Sequence, residues 1–506
     1  MSSSSHRVTN MANSPLCVAD IIDRSGVAFG TSGARGLVSA MTDRVCHAYT
    51  TGFLKFMADC GAWTVGGRVA LAGDLRPSTP RILAACAQAV RDLGGEPVYC
   101  GLVPTPALAL WAFGEGVPSL MVTGSHIPDD RNGIKFYRPD GEILKEDEPG
   151  ILRQTVSADD KGWTADGMLL ERQALPKAID VGPAYVARYL DFFGASALSG
   201  LRLGVYQHSA VGRDVLVDIL EAMGADVVVL GRSETFIPVD TEAVRAEDID
   251  LARGWAAEHR LDAIASTDGD SDRPLLADHE GEWLRGDVLG VLCAQAIGAQ
   301  SLVTPVSSNT LVEKCGAFGA VHRTRIGSPY VIAAMAAALA AKEGVVGGYE
   351  ANGGFLLASD VTREGRTLNA LPTRDAVLPI VAALAAARPG RLADLVADLP
   401  PRTTFSDRLA EFAPARRDAL FVWLKEGDDA RRSRLEESFG PIAGDALIDI
   451  DDLDGVRMTF ANGRIVHLRG SGNAPELRCY AEAENKALAE ALSRQALDWV
   501  AERFPA

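Results

Sequence analysis

The sequence predicts an α/β protein of several domains that ends in an antiparallel α+β segment, and three observations carry that expectation. Short apolar runs alternate with helix-like segments through most of the 506 residues, the pattern of parallel strands covered by helices. The chain is longer than one core usually serves, so three or four domains of roughly 100–200 residues are expected. Near the end, residues 458–468 set Asn462-Gly463 between two alternating runs, a strong hairpin signal.

Taken in order, the strand candidates are 68–73, 119–122, 203–207, 227–230, 261–266 and 301–306. The alanine-rich runs 331–341 and 376–387 read as core helices, too short to span a bilayer. Composition turns polar or rich in proline and glycine at 156–167, around 279–285 and at 388–406, which marks linker candidates. No tandem repeat is visible, although the first three units could share a topology.

Hydrophobic residues at 47% and charged residues at 23% describe an ordinary globular chain. The net charge of -17 argues against a nucleic-acid partner or an anionic membrane, both of which select basic surfaces. A local arginine cluster could still bind a small anion. The 8 cysteines are scattered without a CxxC pair, as expected of reduced thiols in cytoplasm, and the Ser-rich start lacks the apolar core of a secretory signal.

Chemistry concentrates in five glycine-punctuated segments. Thr123-Gly124-Ser125-His126-Ile127-Pro128, followed by Asn132-Gly133-Ile134-Lys135, puts a hydroxyl, a histidine and a lysine just after an apolar run, where a strand would deliver a reactive group. Lys135 could supply a point charge or a proton, and His126 acid/base work or a structural contact. Asp268-Gly269-Asp270-Ser271-Asp272-Arg273 follows another strand candidate, and three carboxylates at alternate positions can converge on one hard cation. An EF-hand does not fit, because position six is Arg273 and position twelve is His279; a solvated acidic turn is the other reading. Arg273 beside such a loop suits an arriving anion.

Phe29-Gly30-Thr31-Ser32-Gly33-Ala34-Arg35-Gly36 is a turn without the ending of a P-loop, and Arg35 could clamp a phosphate. Gly348-Tyr349-Glu350-Ala351-Asn352-Gly353-Gly354 pairs a carboxylate with an amide, a match for vicinal sugar hydroxyls. Arg469-Gly470-Ser471-Gly472-Asn473-Ala474-Pro475, with Arg478 beyond it, offers guanidinium forks, a hydroxyl, an amide and backbone N–H groups, as tetrahedral phosphate recognition requires.

These segments, with Gly73-Asp74-Leu75-Arg76-Pro77-Ser78, resemble in order the motifs of the α-D-phosphohexomutase superfamily, specifically its bacterial phosphomannomutase/phosphoglucomutase type. The resemblance implies a fold of three α/β domains with mixed sheets and a C-terminal α+β domain around a central cleft. On this chain those would be 1–165 with a phosphoserine loop, 166–282 with a metal loop, 283–395 with a sugar loop and 396–506 with a phosphate loop.

It further implies a phosphorylated Ser125, Mg²⁺ on Asp268, Asp270, Asp272 and the phosphoserine, and catalytic support from Arg35, His126, Lys135 and Arg273. Glu350 and Asn352 would bind sugar; Arg469, Ser471, Gly472, Asn473 and Arg478 would bind phosphate. The implied reaction interconverts hexose 6-phosphate and hexose 1-phosphate through a hexose 1,6-bisphosphate, with mannose phosphates as the expected substrate. Glucose or glucosamine phosphates are the alternatives, and a metal-dependent sugar phosphatase is the rival of another class. Three aspartates, a phosphoserine of about -2 and one Mg²⁺ leave about -3, which Arg35, Lys135 and Arg273 would offset. The chain departs from the family motifs at Gly124 and Ile127 (for alanine and asparagine), Ser271 (for glycine), Asn352 (for serine), Gly354 (for histidine) and Asn473 (for threonine). The sequence sets no oligomeric state.

Overall fold

The computed structural model describes residues 16–30, 33–157, 161–388, 390–471 and 475–505. The chain forms two compact units, Met1–Val181 and Gly182–Ala506.

In the first unit the strand order runs Ala28–Phe29, Ala34–Leu37, Arg131–Arg138, Ser119–Val122, Arg68–Gly73, Glu96–Leu102. The last three are mutually parallel, whereas Arg131–Arg138 runs antiparallel to both its neighbours, Ser119–Val122 and Ala34–Leu37. Ser119–Val122 is buried at every residue, which is why it reads as a continuous apolar run without alternation. Helix Asp43–Asp59 packs on helix Thr79–Asp92, and its first turn is capped by Thr42, whose hydroxyl accepts from the Val45 N–H. Phe53, Leu71, Leu83 and Val122 belong to the core they share.

The second unit contains two more mixed sheets and one antiparallel sheet. Asp226–Arg232, Arg202–His208 and Ala263–Thr267 are parallel, and Pro274–Ala277 returns antiparallel. Ala320–Thr324, Ser301–Pro305 and Val346–Tyr349 are parallel, Phe355–Leu357 returns antiparallel, and Leu371–Asp375 pairs antiparallel with it, back in the first direction. The C-terminal sheet, in the order Thr403–Leu409, Leu477–Ala483, Ile465–Gly470, Val456–Phe460, Leu447–Asp451, is antiparallel throughout and covered by helix Lys486–Arg503. Its hairpin closes at Asn462-Gly463, where Gly463 takes φ 80°.

All three mixed sheets share one device. A buried parallel strand ends, a short loop turns, and an antiparallel neighbour returns beside it. Those loops are 123–130, 268–273 and 350–354, so the serine, aspartate and glutamate segments occupy one topological position in three successive sheets. A fourth loop follows Ile465–Gly470 in the antiparallel sheet.

One linker reading changes. Residues 388–406 hold a helix, Leu392–Ala397, and the start of strand Thr403–Leu409. Around 279–285 the chain makes a tight reversal, bridged at Ala277 and Trp283. Part of 156–167 lies outside the described residues. Among the described residues no helix is long and apolar enough to cross a membrane.

Candidate active site

Ser125 sits two residues beyond Thr123, at the end of the buried strand Ser119–Val122, with φ 56°, a left-handed conformation rare for a side-chain-bearing residue. Such strain persists only where the surroundings hold it. Here Thr123 Oγ1 accepts from the Ser125 N–H at 2.8 Å, and Arg76 Nη2 donates to the Ser125 carbonyl at 2.8 Å. Arg76 is 1% exposed and also donates to the carbonyls of Ile127, Pro128 and Arg131. One guanidinium therefore gathers the whole turn.

Asp74 holds Arg76 in turn. Its carboxylate accepts from Arg76 Nε at 3.0 Å, from the Arg76 N–H at 3.1 Å, and from the hydroxyls of Thr79 and Thr123 at 2.7 Å each. Burial pushes the Asp74 carboxyl above its usual range, while Arg76 and the two threonines pull it back. Removing one member of a fully buried ion pair strands the other, at about 3–5 kcal/mol. Asp74→Asn is accordingly expected to lower the urea midpoint of the first unit's unfolding together with turnover; a midpoint unchanged from wild type would show that this pair does not hold the loop.

Lys135 is buried on the returning strand, paired with Met121. Arg35 lies opposite Gly133 on that strand, two residues from Lys135, so both cations issue from one face of the sheet. His126 Nδ1 is 3.4 Å from Ser125 Oγ, the outer edge of hydrogen bonding. Thr31 and Ser32 of the glycine-rich turn lie outside the described residues.

In the second unit Asp268, Asp270 and Asp272 are each 0% exposed, with one carboxylate oxygen apiece within 4.8 Å of the others. Asp268 also organises the turn, accepting from the Asp272 and Arg273 N–H groups at 3.2 Å each. Ser271, at φ 59°, takes the left-handed position for which the resembling loop uses glycine. Its hydroxyl accepts from the Gly212 N–H at 2.9 Å and from Thr267 Oγ1 at 2.8 Å, which ties the loop down. Arg273 Nε lies 3.7 Å from Asp272 and 4.0 Å from Asp268.

Glu350 is buried, and its Oε2 accepts from Arg374 Nη1 at 3.1 Å. Asn352 Oδ1 accepts from the Gly354 N–H at 2.9 Å, closing the turn, while its carbonyl accepts from Thr241 Oγ1 at 2.9 Å. Arg469 and Arg478 are direct cross-strand partners. Like charges placed opposite each other repel unless anions lie nearby. Arg469 Nε reaches Asp454 at 2.9 Å and Arg478 Nη2 approaches Glu476 at 3.5 Å. Ser471 is buried at the mouth of the same hairpin, and Gly472 and Asn473 lie outside the described residues.

Four sequence-family models match in chain order. They are the phosphoglucomutase/phosphomannomutase alpha/beta/alpha domains I (residues 26–162), II (183–281) and III (285–403) and the C-terminal domain of the same family (425–498). The chain belongs to this family. It is 45% identical over 470 residues to a phosphomannomutase of Salmonella muenchen, covering 92% of this chain and 94% of that one. With a phosphomannomutase of Sinorhizobium fredii it shares 46% identity over 477 residues, covering 93% and 98%. A crystal structure of a phosphoglucomutase/phosphomannomutase family protein from Burkholderia thailandensis superposes at TM-score 0.70 and 18% identity, covering 94% of this chain and 97% of that one, a likeness of fold. The chain is thus a phosphohexomutase, an isomerase of four α/β-type domains.

Within that frame the departures acquire physical reasons. A Cβ on Gly124 would stand 2.6 Å from Arg76 Cζ, so a side chain there would require this guanidinium to shift. Sequence reasoning matched Asp74 and Arg76 to a family segment without giving either a role, and it passed over Arg374. The available signal was a charged residue directly after or inside an apolar stretch, as in Leu371-Pro372-Thr373-Arg374-Asp375.

Proposed function

We propose that this phosphohexomutase interconverts mannose 6-phosphate and mannose 1-phosphate, with Ser125 as the phosphoryl carrier. The full-length identity with two phosphomannomutases supports the sugar. What carries the carrier assignment is the backbone of Ser125, held in a left-handed conformation by Arg76 and Thr123 at the end of a buried strand. An unassisted serine is a weak nucleophile, and phosphoryl transfer depends mainly on positioning and charge neutralisation.

In the forward half-reaction a hydroxyl of the bound hexose phosphate attacks the phosphorus on Ser125. A new P–O bond to the sugar forms, the P–O bond to Ser125 Oγ breaks, and the hydroxyl proton passes to a neighbouring base, with His126 as the candidate on this loop. The product is a hexose 1,6-bisphosphate, which reorients and returns its other phosphate to Ser125. Arg35 and Lys135, from one sheet face, balance phosphoryl charge; Glu350 and Asn352 read sugar hydroxyls; Arg469, Ser471, Gly472, Asn473 and Arg478 hold the phosphate that is not reacting.

The donor set of Asp268, Asp270 and Asp272 suits Mg²⁺, which prefers a few carboxylates completed by a phosphate oxygen. Bound there, Mg²⁺ would neutralise charge developing on the phosphoryl oxygens. A phosphatase needs no second phosphate site, so the Arg469–Arg478 pairing favours the mutase.

The test is coupled turnover of mannose 1-phosphate, glucose 1-phosphate and glucosamine 1-phosphate side by side with a bisphosphate activator. Mannose 1-phosphate is expected to give the highest kcat/KM. A higher value for either other sugar replaces mannose in this reading without touching the carrier.

A further inference from the structure

Arg374 is 1% exposed, yet its guanidinium joins two loops that sequence separates widely. Nε donates to Asp272 Oδ2 at 3.0 Å, and Nη1 donates to Glu350 Oε2 at 3.1 Å and to Ser328 Oγ at 3.0 Å. One end of this bridge is a carboxylate of the proposed metal loop and the other is the proposed sugar carboxylate. The strand behind it is fixed. The next residue, Asp375, accepts from Tyr185 OH at 2.9 Å and Tyr189 OH at 2.6 Å, and from the Val377 and Leu378 N–H groups that open helix Val377–Ala387.

Gly354 completes the arrangement. A Cβ there would lie 2.8 Å from Arg374 Cδ and 2.9 Å from its Cγ, so the glycine leaves the lane through which the arginine stem passes. This is the position where the resembling loop carries a histidine. Charge points the same way. Asp268, Asp270, Asp272 and Glu350 are four buried carboxylates, against which Arg273 and Arg374 set two guanidinium groups.

We propose that Arg374 is a positioning residue of the mutase reaction: it couples the metal loop to the sugar loop through Asp272 and Glu350, in space that Gly354 vacates for it. The proposal rests on the reading that Asp272 holds metal and Glu350 holds sugar. A guanidinium fork bonding two carboxylates at once fixes their separation, which a point charge does not.

The experiment measures steady-state kinetics of the full-length protein on mannose 1-phosphate across a Mg²⁺ titration. Arg374→Met, Arg374→Lys and Gly354→Ala are compared with wild type, each checked by circular dichroism and by the rise in thermal midpoint on adding Mg²⁺, which Arg374→Met is expected to reduce. Arg374→Met is expected to raise both KM and the half-activating Mg²⁺ concentration at least about tenfold, as for loss of hydrogen bonds to charged groups, with a smaller change in kcat. Arg374→Lys should recover part of both constants. Gly354→Ala, which removes no group, should move both in the same direction by less.

A folded Arg374→Met with both constants at wild-type values overturns the proposal. Where Arg374→Met does not fold, wild-type constants in both Arg374→Lys and Gly354→Ala overturn it. Asp272→Asn and Glu350→Gln serve as references. If they too leave both constants unmoved, the metal and sugar assignments have failed and the coupling falls with them; silent Arg374 variants beside damaged references refute the coupling alone.

Discussion

Ser125→Ala is expected to lower mutase turnover by several orders of magnitude while the protein stays folded. Losing a covalent carrier removes the reaction route itself, not one of several contributions to it. The loop should survive, because the bonds that shape it run through backbone atoms: the Ser125 carbonyl to Arg76 and the Ser125 N–H to Thr123. Alanine keeps both, and it meets the left-handed φ of 56° at much the same steric cost as serine. Intact-mass measurement should find one phosphate on the wild-type chain and none on the variant. Turnover close to wild type in Ser125→Ala would sink the carrier assignment, whatever the mass spectrum showed.

The parts of this architecture that were legible in sequence are those whose physics is local. Ser119–Val122 reads as a strand because burial on both faces demands an unbroken apolar run, and the loops after such strands announce themselves through closely spaced glycines and polar groups. The antiparallel returns were harder to see. Pro274–Ala277 and Phe355–Leu357 are too short to show a period, so the alternation of runs spoke only for parallel strands, and the mixed sheets were expected from the family resemblance alone. Helix Leu392–Ala397 was hidden between proline-rich flanks.

Long-range partners left only a faint local trace, a charged residue directly after or inside an apolar stretch. Arg374 meets Asp272 across 102 residues, Arg76 meets the Ser125 carbonyl across 49, and Thr241 reaches the Asn352 carbonyl across 111. Nothing in the immediate neighbourhood of these residues says which partner each will meet. Two departures from the family motifs lie beside them: a Cβ on Gly124 would stand 2.6 Å from Arg76 Cζ, and one on Gly354 would stand 2.8 Å from Arg374 Cδ.

Chelation is expected to abolish activity, Mg²⁺ to restore it, and Asp270→Asn to leave little to restore. Asp268, Asp270 and Asp272 are wholly buried with carboxylate oxygens within 4.8 Å of one another, so without a cation three like charges repel in a site where water screens little. Removing the outer partners of metal ligands commonly costs about 10–100-fold in affinity or activity, and a direct ligand should cost at least as much. A second readout is independent of turnover. Because a ligand that binds only the folded chain stabilises it, Mg²⁺ should raise the thermal midpoint of wild type over that measured in chelator. The same addition should move the Asp270→Asn midpoint less, since one of three ligands is gone and part of the repulsion with it. Full activity after dialysis into excess chelator would take the aspartate loop out of the mechanism, and equal midpoint shifts in both proteins would place the cation elsewhere.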